Sequence, residues 1–113
     1  MKQINQGDIY LANLNPTKGH EQSGLRPVLI LQNNILNRNL NTVVVAPITS
    51  NLESRWLTTT FFIPKSKTKL KKDSVALLFQ IRTLDKSRLI KEVGRITRSD
   101  FANLRIELVR IFW

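Results

Sequence analysis

Apolar residues fall in short runs along this chain, separated by clusters of Asn, Gly, Pro and Lys. Runs of this kind, rich in β-branched and aromatic side chains, predict strands. The first covers residues 8–14 and ends at Asn15-Pro16, a turn signal. Pro27 opens a second over 28–32, which stops at Asn33-Asn34. A third covers 42–48, and its Val43-Val44-Val45 run reads as buried on both faces. Pro47 has no N–H to give to a ladder, which predicts a sheet edge or a bulge at that point. A fourth strand is expected over 58–63, a fifth over 75–81 and a short sixth over 93–96.

Two segments read as helical. Thr83 is placed to cap a single turn over 84–89. Thr97 followed by Asp100 resembles a capping pair, with an acid in the favoured first turn. Phe101, Leu104, Leu108 and Ile111 then recur at helical spacing as one apolar stripe. The expected architecture is mainly β with a C-terminal helix: a small, strongly bent sheet or partly open SH3-like barrel. With 113 residues, a single domain over 1–113 is expected.

Composition narrows the chemistry. Hydrophobic residues make up 42% of the chain, which excludes a disordered polyelectrolyte. There is no Cys, so disulfides, cysteine nucleophiles and thiolate metal sites are excluded. His20 is the single histidine, which excludes a site built on several imidazoles. No metal or cofactor is expected. No apolar run reaches the ~18 residues of a membrane span, and the first residues lack an apolar leader. A cytoplasmic protein without membrane contact is expected.

Charge points to a partner. Eighteen Lys and Arg against eight Asp and Glu give +10. Eleven of the eighteen lie between Arg55 and Arg95, so the charge sits in the body of the chain. The usual counterpart is nucleic acid, with an anionic membrane or an acidic protein as competitors.

Four clusters could use that charge. The loop Gly19-His20-Glu21-Gln22-Ser23-Gly24, with Arg26 after it, combines imidazole, carboxylate, amide and guanidinium, enough for proton transfer and anion binding. The same composition also describes a solvated hairpin loop. Thr49 and Ser50 end the third strand, where hydroxyls bind phosphate oxygens or cap a turn. Residues 65–72 hold five lysines; in extended conformation Lys65, Lys67, Lys69 and Lys71 share one face, a rail for a phosphate backbone or a solubilising edge. Arg55-Trp56 is the pair placed to stack on single-stranded bases; Tyr10, Phe61, Phe62 and Phe79 read mainly as core.

These blocks together resemble the MazF/PemK family, the toxin half of bacterial toxin–antitoxin pairs. The resemblance rests on GDIYLANLNPTKGHEQSGLRPVLI (7–30), TVVVAPITS (42–50), DSVALLFQIRTLDKSRL (73–89) and the helix after Val93-Gly94-Arg95. Residues 34–41 and 51–72 are not diagnostic. It implies a small β-barrel homodimer and a metal-independent endoribonuclease cutting single-stranded mRNA. It implies attack by the ribose 2′-hydroxyl, leaving a 2′,3′-cyclic phosphate and a 5′-hydroxyl, and an antitoxin whose acidic tail covers the RNA site. On this resemblance Arg26 and Thr49 hold the reacting phosphate, Ser50 supports Thr49, His20 and Glu21 are candidates for proton transfer, and Gln22, Gln80 and Arg82 position the RNA. Many relatives carry an acid where this chain has Phe79, which leaves the general base open. Two alternatives are a gyrase-poisoning toxin of the same fold and a non-catalytic RNA-binding module. The gyrase-poisoning relative ends in Trp-Gly-Ile, whereas this chain ends at Phe112-Trp113.

Overall fold

The computed structural model describes residues 3–22 and 24–112. Seven strands form one antiparallel sheet: β1 (Asp8–Asn13), β2 (Leu25–Ile30), β3 (Thr42–Thr49), β4 (Thr60–Ile63), β5 (Ser74–Leu77), β6 (Arg82–Asp85) and β7 (Leu89–Arg95). Two helices accompany them, α1 (Asn34–Asn39) and α2 (Arg98–Val109). The strand order is β4-β5-β3-β2-β1-β7, with β6 also paired to β3. The sheet is strongly bent and does not close, as the apolar pattern predicts.

β3 is the axis of the fold. Its first half, Thr42 to Val45, pairs with β6; its last residues, Ile48 and Thr49, pair with β5. Pro47 falls between these two ladders. The Val44 carbonyl accepts from the Leu31 side, so by alternation Pro47 turns its ring nitrogen toward the junction where the partner changes. The expectation of an edge or bulge is therefore corrected. Pro47 is buried inside a central strand, and its missing N–H coincides with a change of neighbour.

Alternation along the strands sorts the core into two layers. Tyr10, Ala12, Leu14, Val28, Ile30, Val43, Val45, Leu84 and Leu89 pack on one face. Ile9, Leu29, Leu31, Ala46, Ile48, Ile63 and Ala76 pack on the other, beneath Phe101 and Leu104 of α2. The predicted C-terminal stripe holds, with Leu108 and Ile111 half-buried against the same layer. Thr97 caps α2 by accepting from the Asp100 N–H, as its spacing predicts.

Several elements differ from the sequence expectation. The fifth run breaks at Leu77: the chain turns tightly through 78–80 and re-enters the sheet as β6. The helical turn expected over 84–89 is instead the end of β6, a turn over 86–88 and the start of β7. Leu84 is buried opposite Val43, and it is Asp85 that caps the turn, accepting from the Ser87 N–H at 2.8 Å. Hydrogen bonding from the Ser87 hydroxyl first, and then from its N–H, holds the Asp85 carboxyl below its ordinary value. α1 was not expected. Asn33 caps it, and the buried Asn37 accepts from Gln32 Nε2 and donates to the Gln32 backbone carbonyl, each at 2.9 Å. The sixth strand, β7, starts four residues earlier than expected.

The lysine segment is also corrected. Residues 65–67 form a tight turn, so the two-residue period does not hold and the lysines do not make one rail. The chain then lies across β7: a Cβ added to Gly94 would sit 3.4 Å from the Lys69 backbone nitrogen.

Candidate active site

The β1–β2 hairpin carries its functional residues at one end. Arg26 pairs with Ala12 across β1–β2. The β2–β3 ladder runs from Ile30–Val45 to Val28–Pro47; two residues past its end lie Arg26 on β2 and Thr49 on β3, where Thr49 pairs with Val75 of β5. Residues two apart share a face, so Arg26, Pro47 and Thr49 extend the row of Val28 and Val45, and Arg82, paired with Val45, joins them from β6. Arg26 is half-buried and Thr49 is 8% exposed. The Thr49 hydroxyl accepts from the Asn51 N–H at 3.2 Å, which leaves its own proton to donate. A cleft of about 230 Å³ beside them is lined by Leu25, Arg26, Ser50, Lys71 and Lys72. Two lysines thus flank the guanidinium, a setting suited to an anion.

The loop between β1 and β2 is clasped from the far side of the chain. The Gln22 backbone N–H donates to Gln80 Oε1 at 3.0 Å, and Gln80 Nε2 donates to the His20 carbonyl at 3.3 Å. Both halves of the Gln80 amide are therefore engaged with the loop. Two arginines hold the loop's base: Arg82 donates to the Leu14 carbonyl at 3.4 Å, and Arg88 donates to the carbonyls of Asn13 and Asn15. The Asn15 side chain in turn accepts from the Gly24 N–H. Gly19 and Gly24 have φ of +58° and +78°, the left-handed region that glycine enters without strain. Nothing in the sequence pattern marked Arg88 for this task, because it serves carbonyls 73 and 75 residues away.

The proton-transfer candidates are placed unequally. Both His20 and Glu21 are exposed. Glu21 Oε1 accepts from the Lys18 N–H at 2.6 Å, so its carboxylate shapes the loop. His20 is engaged through its carbonyl, with its imidazole on the surface. Ser23 lies outside the described residues. A second cleft, of about 250 Å³, opens beside the clasp between Glu21, Gln22, Pro47, Phe79, Gln80 and Arg82. Phe79, read from the sequence mainly as core, is 43% exposed in its wall.

The remaining predicted residues stand apart. Arg55 and Trp56 lie in a turn over 52–56 that follows directly on Thr49-Ser50. The Arg55 guanidinium stacks 4.7 Å from the Trp56 ring and 5.8 Å from Phe62. Trp56 is 77% exposed, so its ring offers a stacking surface. Lys67 and Lys69 are not gathered with Lys71. They line a separate cleft with Glu92 and Arg95 over β7, and Lys67 stands 3.9 Å from Asp100. Among the described residues no group of three or more His, Asp or Glu side chains is placed to hold a metal ion. No helix among them is long and apolar enough to cross a membrane.

Comparison with known proteins assigns the chain. Endoribonuclease MazF of Staphylococcus saprophyticus is 54% identical over 86 residues, covering 76% of this chain and 72% of that protein. The crystal structure of MazF from Deinococcus radiodurans superposes with a TM-score of 0.82 at 25% identity, over 98% of this chain and 97% of that one. A MazE–MazF structure from the same organism shares the fold, with a TM-score of 0.77 at 24% identity over 98% of this chain and 96% of that one. Residues 5–112 match the family as a whole. The chain belongs to the PemK-like, MazF-like toxins of type II toxin–antitoxin systems.

Proposed function

We propose that this protein is the toxin of a toxin–antitoxin pair and cleaves single-stranded mRNA in the cytoplasm through attack of the ribose 2′-hydroxyl on the adjacent phosphate. The observation that carries the reading is Arg26 lining one cleft with Ser50, the neighbour of the buried Thr49, and with Lys71 and Lys72, in a chain of this family. The 2′-hydroxyl is supplied by the substrate, so the protein needs no nucleophile of its own. It must hold the phosphate and stabilise charge on the phosphoryl oxygens. A guanidinium meets both non-bridging oxygens at once, and the Thr49 hydroxyl is a further donor to one of them. The products are a 2′,3′-cyclic phosphate and a 5′-hydroxyl. His20 is the group in the loop free to move a proton, whereas Glu21 is committed to the Lys18 N–H. A homodimer and an antitoxin with an acidic tail complete the reading. The tail suits a chain of charge +10.

The test is incubation of the purified protein with a long RNA in EDTA, followed by mapping of both product ends. Cleavage with 5′-hydroxyl ends is expected. Dependence on a divalent ion, or 5′-phosphate ends, overturns the mechanism.

A further inference from the structure

A second basic cleft stands at the other end of β1 from Arg26. Arg26 pairs with Ala12, whereas Arg95 of β7 pairs with Asp8. Four residues of strand separate these positions, about 13 Å along β1. The cleft, of about 600 Å³, lies between the start of β1 and the first two turns of α2. Arg98, Ala102 and Arg105 recur at helical spacing along one face of α2, and the small Ala102 leaves a hollow between two long side chains. Both arginines are exposed, and neither has a hydrogen bond or ion pair among the described residues. Arg95 stands beside them, 3.4 Å from Asp8 Oδ1 and 3.8 Å from Glu92 Oε2, which tether it. The carboxylate in the lining is Asp8. It is buried and also accepts from the Asn5 N–H at 2.9 Å, so its charge is committed inside the fold. Across the cleft, Asn34 Oδ1 accepts from the Gln6 N–H at 2.7 Å, which leaves its Nδ2 group as a further donor. The cleft therefore turns donors and positive charge to solvent.

We propose that this cleft is an RNA exosite, which holds the phosphodiester backbone of single-stranded RNA at nucleotides beyond the cut. The inference rests on the reading of RNA as the substrate and adds a second place where the strand is held. Spacing favours a polymer over a single small anion. Arg98 and Arg105 stand seven residues apart, about 10 Å along α2, which suits successive phosphates of one chain. Guanidinium is the side chain that meets phosphate oxygens in pairs. Contacts of this kind carry no base information, so the exosite sets affinity without choosing where the RNA is cut. Two holding points joined by a flexible strand act through effective concentration, so an RNA long enough to reach both binds more tightly than one that fills the cleavage cleft alone.

The experiment compares wild type with the double variant Arg98→Ala/Arg105→Ala. Both positions are exposed and alanine favours a helix, so folding is retained. Binding is measured by fluorescence anisotropy at two salt concentrations on fully 2′-O-methylated RNAs, which lack the attacking hydroxyl, one of about 8 and one of about 30 nucleotides. The double variant should bind the long RNA roughly tenfold more weakly and reduce its salt slope by about 1.4, while its affinity for the short RNA changes less than about twofold. Arg98→Lys/Arg105→Lys, which keeps both charges, should keep most of the slope. Equal weakening of long and short RNA, or no weakening of either, overturns the proposal and leaves these arginines as a solvated helix face. Cleavage of a long unmodified RNA by wild type is scored separately. No cleavage with the length effect intact refutes the nuclease reading and upholds the exosite; cleavage without the length effect refutes the exosite alone.

Discussion

Replacing Gln80 with Ala tests the loop clasp directly. The side chain supplies two hydrogen bonds, 3.0 Å to the Gln22 N–H and 3.3 Å to the His20 carbonyl, both to a loop 58 and 60 residues away. A neutral hydrogen bond contributes about 0.5–1.5 kcal/mol net, and the longer, exposed one belongs at the low end. Together they stabilise the closed loop by about 1.5–2 kcal/mol, a population shift of roughly 10- to 30-fold. The cost falls on local opening, because Arg82, Arg88 and Asn15 still hold the loop's base. Gln80→Ala should therefore lower kcat/KM for RNA by roughly tenfold and speed amide exchange across residues 18–22, with little change in the global melting temperature. Gln80→Glu keeps an acceptor for the Gln22 N–H and loses the donor to His20, so its effect should be intermediate. Steady-state cleavage and hydrogen exchange read the two consequences separately. Unchanged exchange in the loop of Gln80→Ala would refute the reasoning, whatever the kinetics.

Arg26→Ala should reduce the cleavage rate about 100-fold or more with folding retained, and Arg26→Lys should recover only part of it, because an ammonium lacks the paired donors; wild-type turnover by the alanine variant rules out the assignment. Lys71→Ala should reduce the salt slope of RNA binding by about 0.7, while Lys67→Ala, in the separate cleft and beside Asp100, should reduce it less. Equal slopes from binding at two salt concentrations would contradict that division. The Tyr10 hydroxyl is buried without a partner among the described residues, and burial, then Asp8 and Glu92, raises its pKa. Because the folded state holds that proton more tightly than the unfolded chain, stability should fall as pH rises above about 10, the ordinary tyrosine value. Tyr10→Phe should be nearly neutral at pH 7 and should remove that alkaline loss; denaturant melts at both pH values decide it.

Where strands alternate cleanly, the sequence pattern carries the structure: Val43, Val45, Val28 and Ile30 land on one face as their period demands. The C-terminal helix was readable too, because Thr97 and Asp100 mark its start and Phe101 and Leu104 its inner side. α1 was hidden because its Ile35 and Leu36 are exposed, and amides of Asn33 and Asn37 hold it in place of an apolar face. Residues 84–89 read as a helical turn because the end of β6, the turn over 86–88 and the start of β7 are each too short to separate the two periods. At the site, Arg26, Thr49 and Gln80 were nameable from motif resemblance. What Gln80 does was not, since it depends on a contact between segments that only the folded sheet brings together. The lysine run misled for the opposite reason. Its spacing implied a strand, and the tight turn over 65–67 overrode it, sending Lys67 and Lys71 to different clefts.

The Gln80 clasp touches only the backbone of the loop, the N–H of Gln22 and the carbonyl of His20. Any residue other than proline at position 22 presents the same N–H, and any residue at position 20 the same carbonyl. At these two positions the loop's course is thereby uncoupled from the side chains. Substitutions at His20 or Gln22 can accumulate without moving the segment relative to Arg26 and Thr49. Evolution is left with two side chains free to drift while the strands that carry Arg26 and Thr49 stay in place.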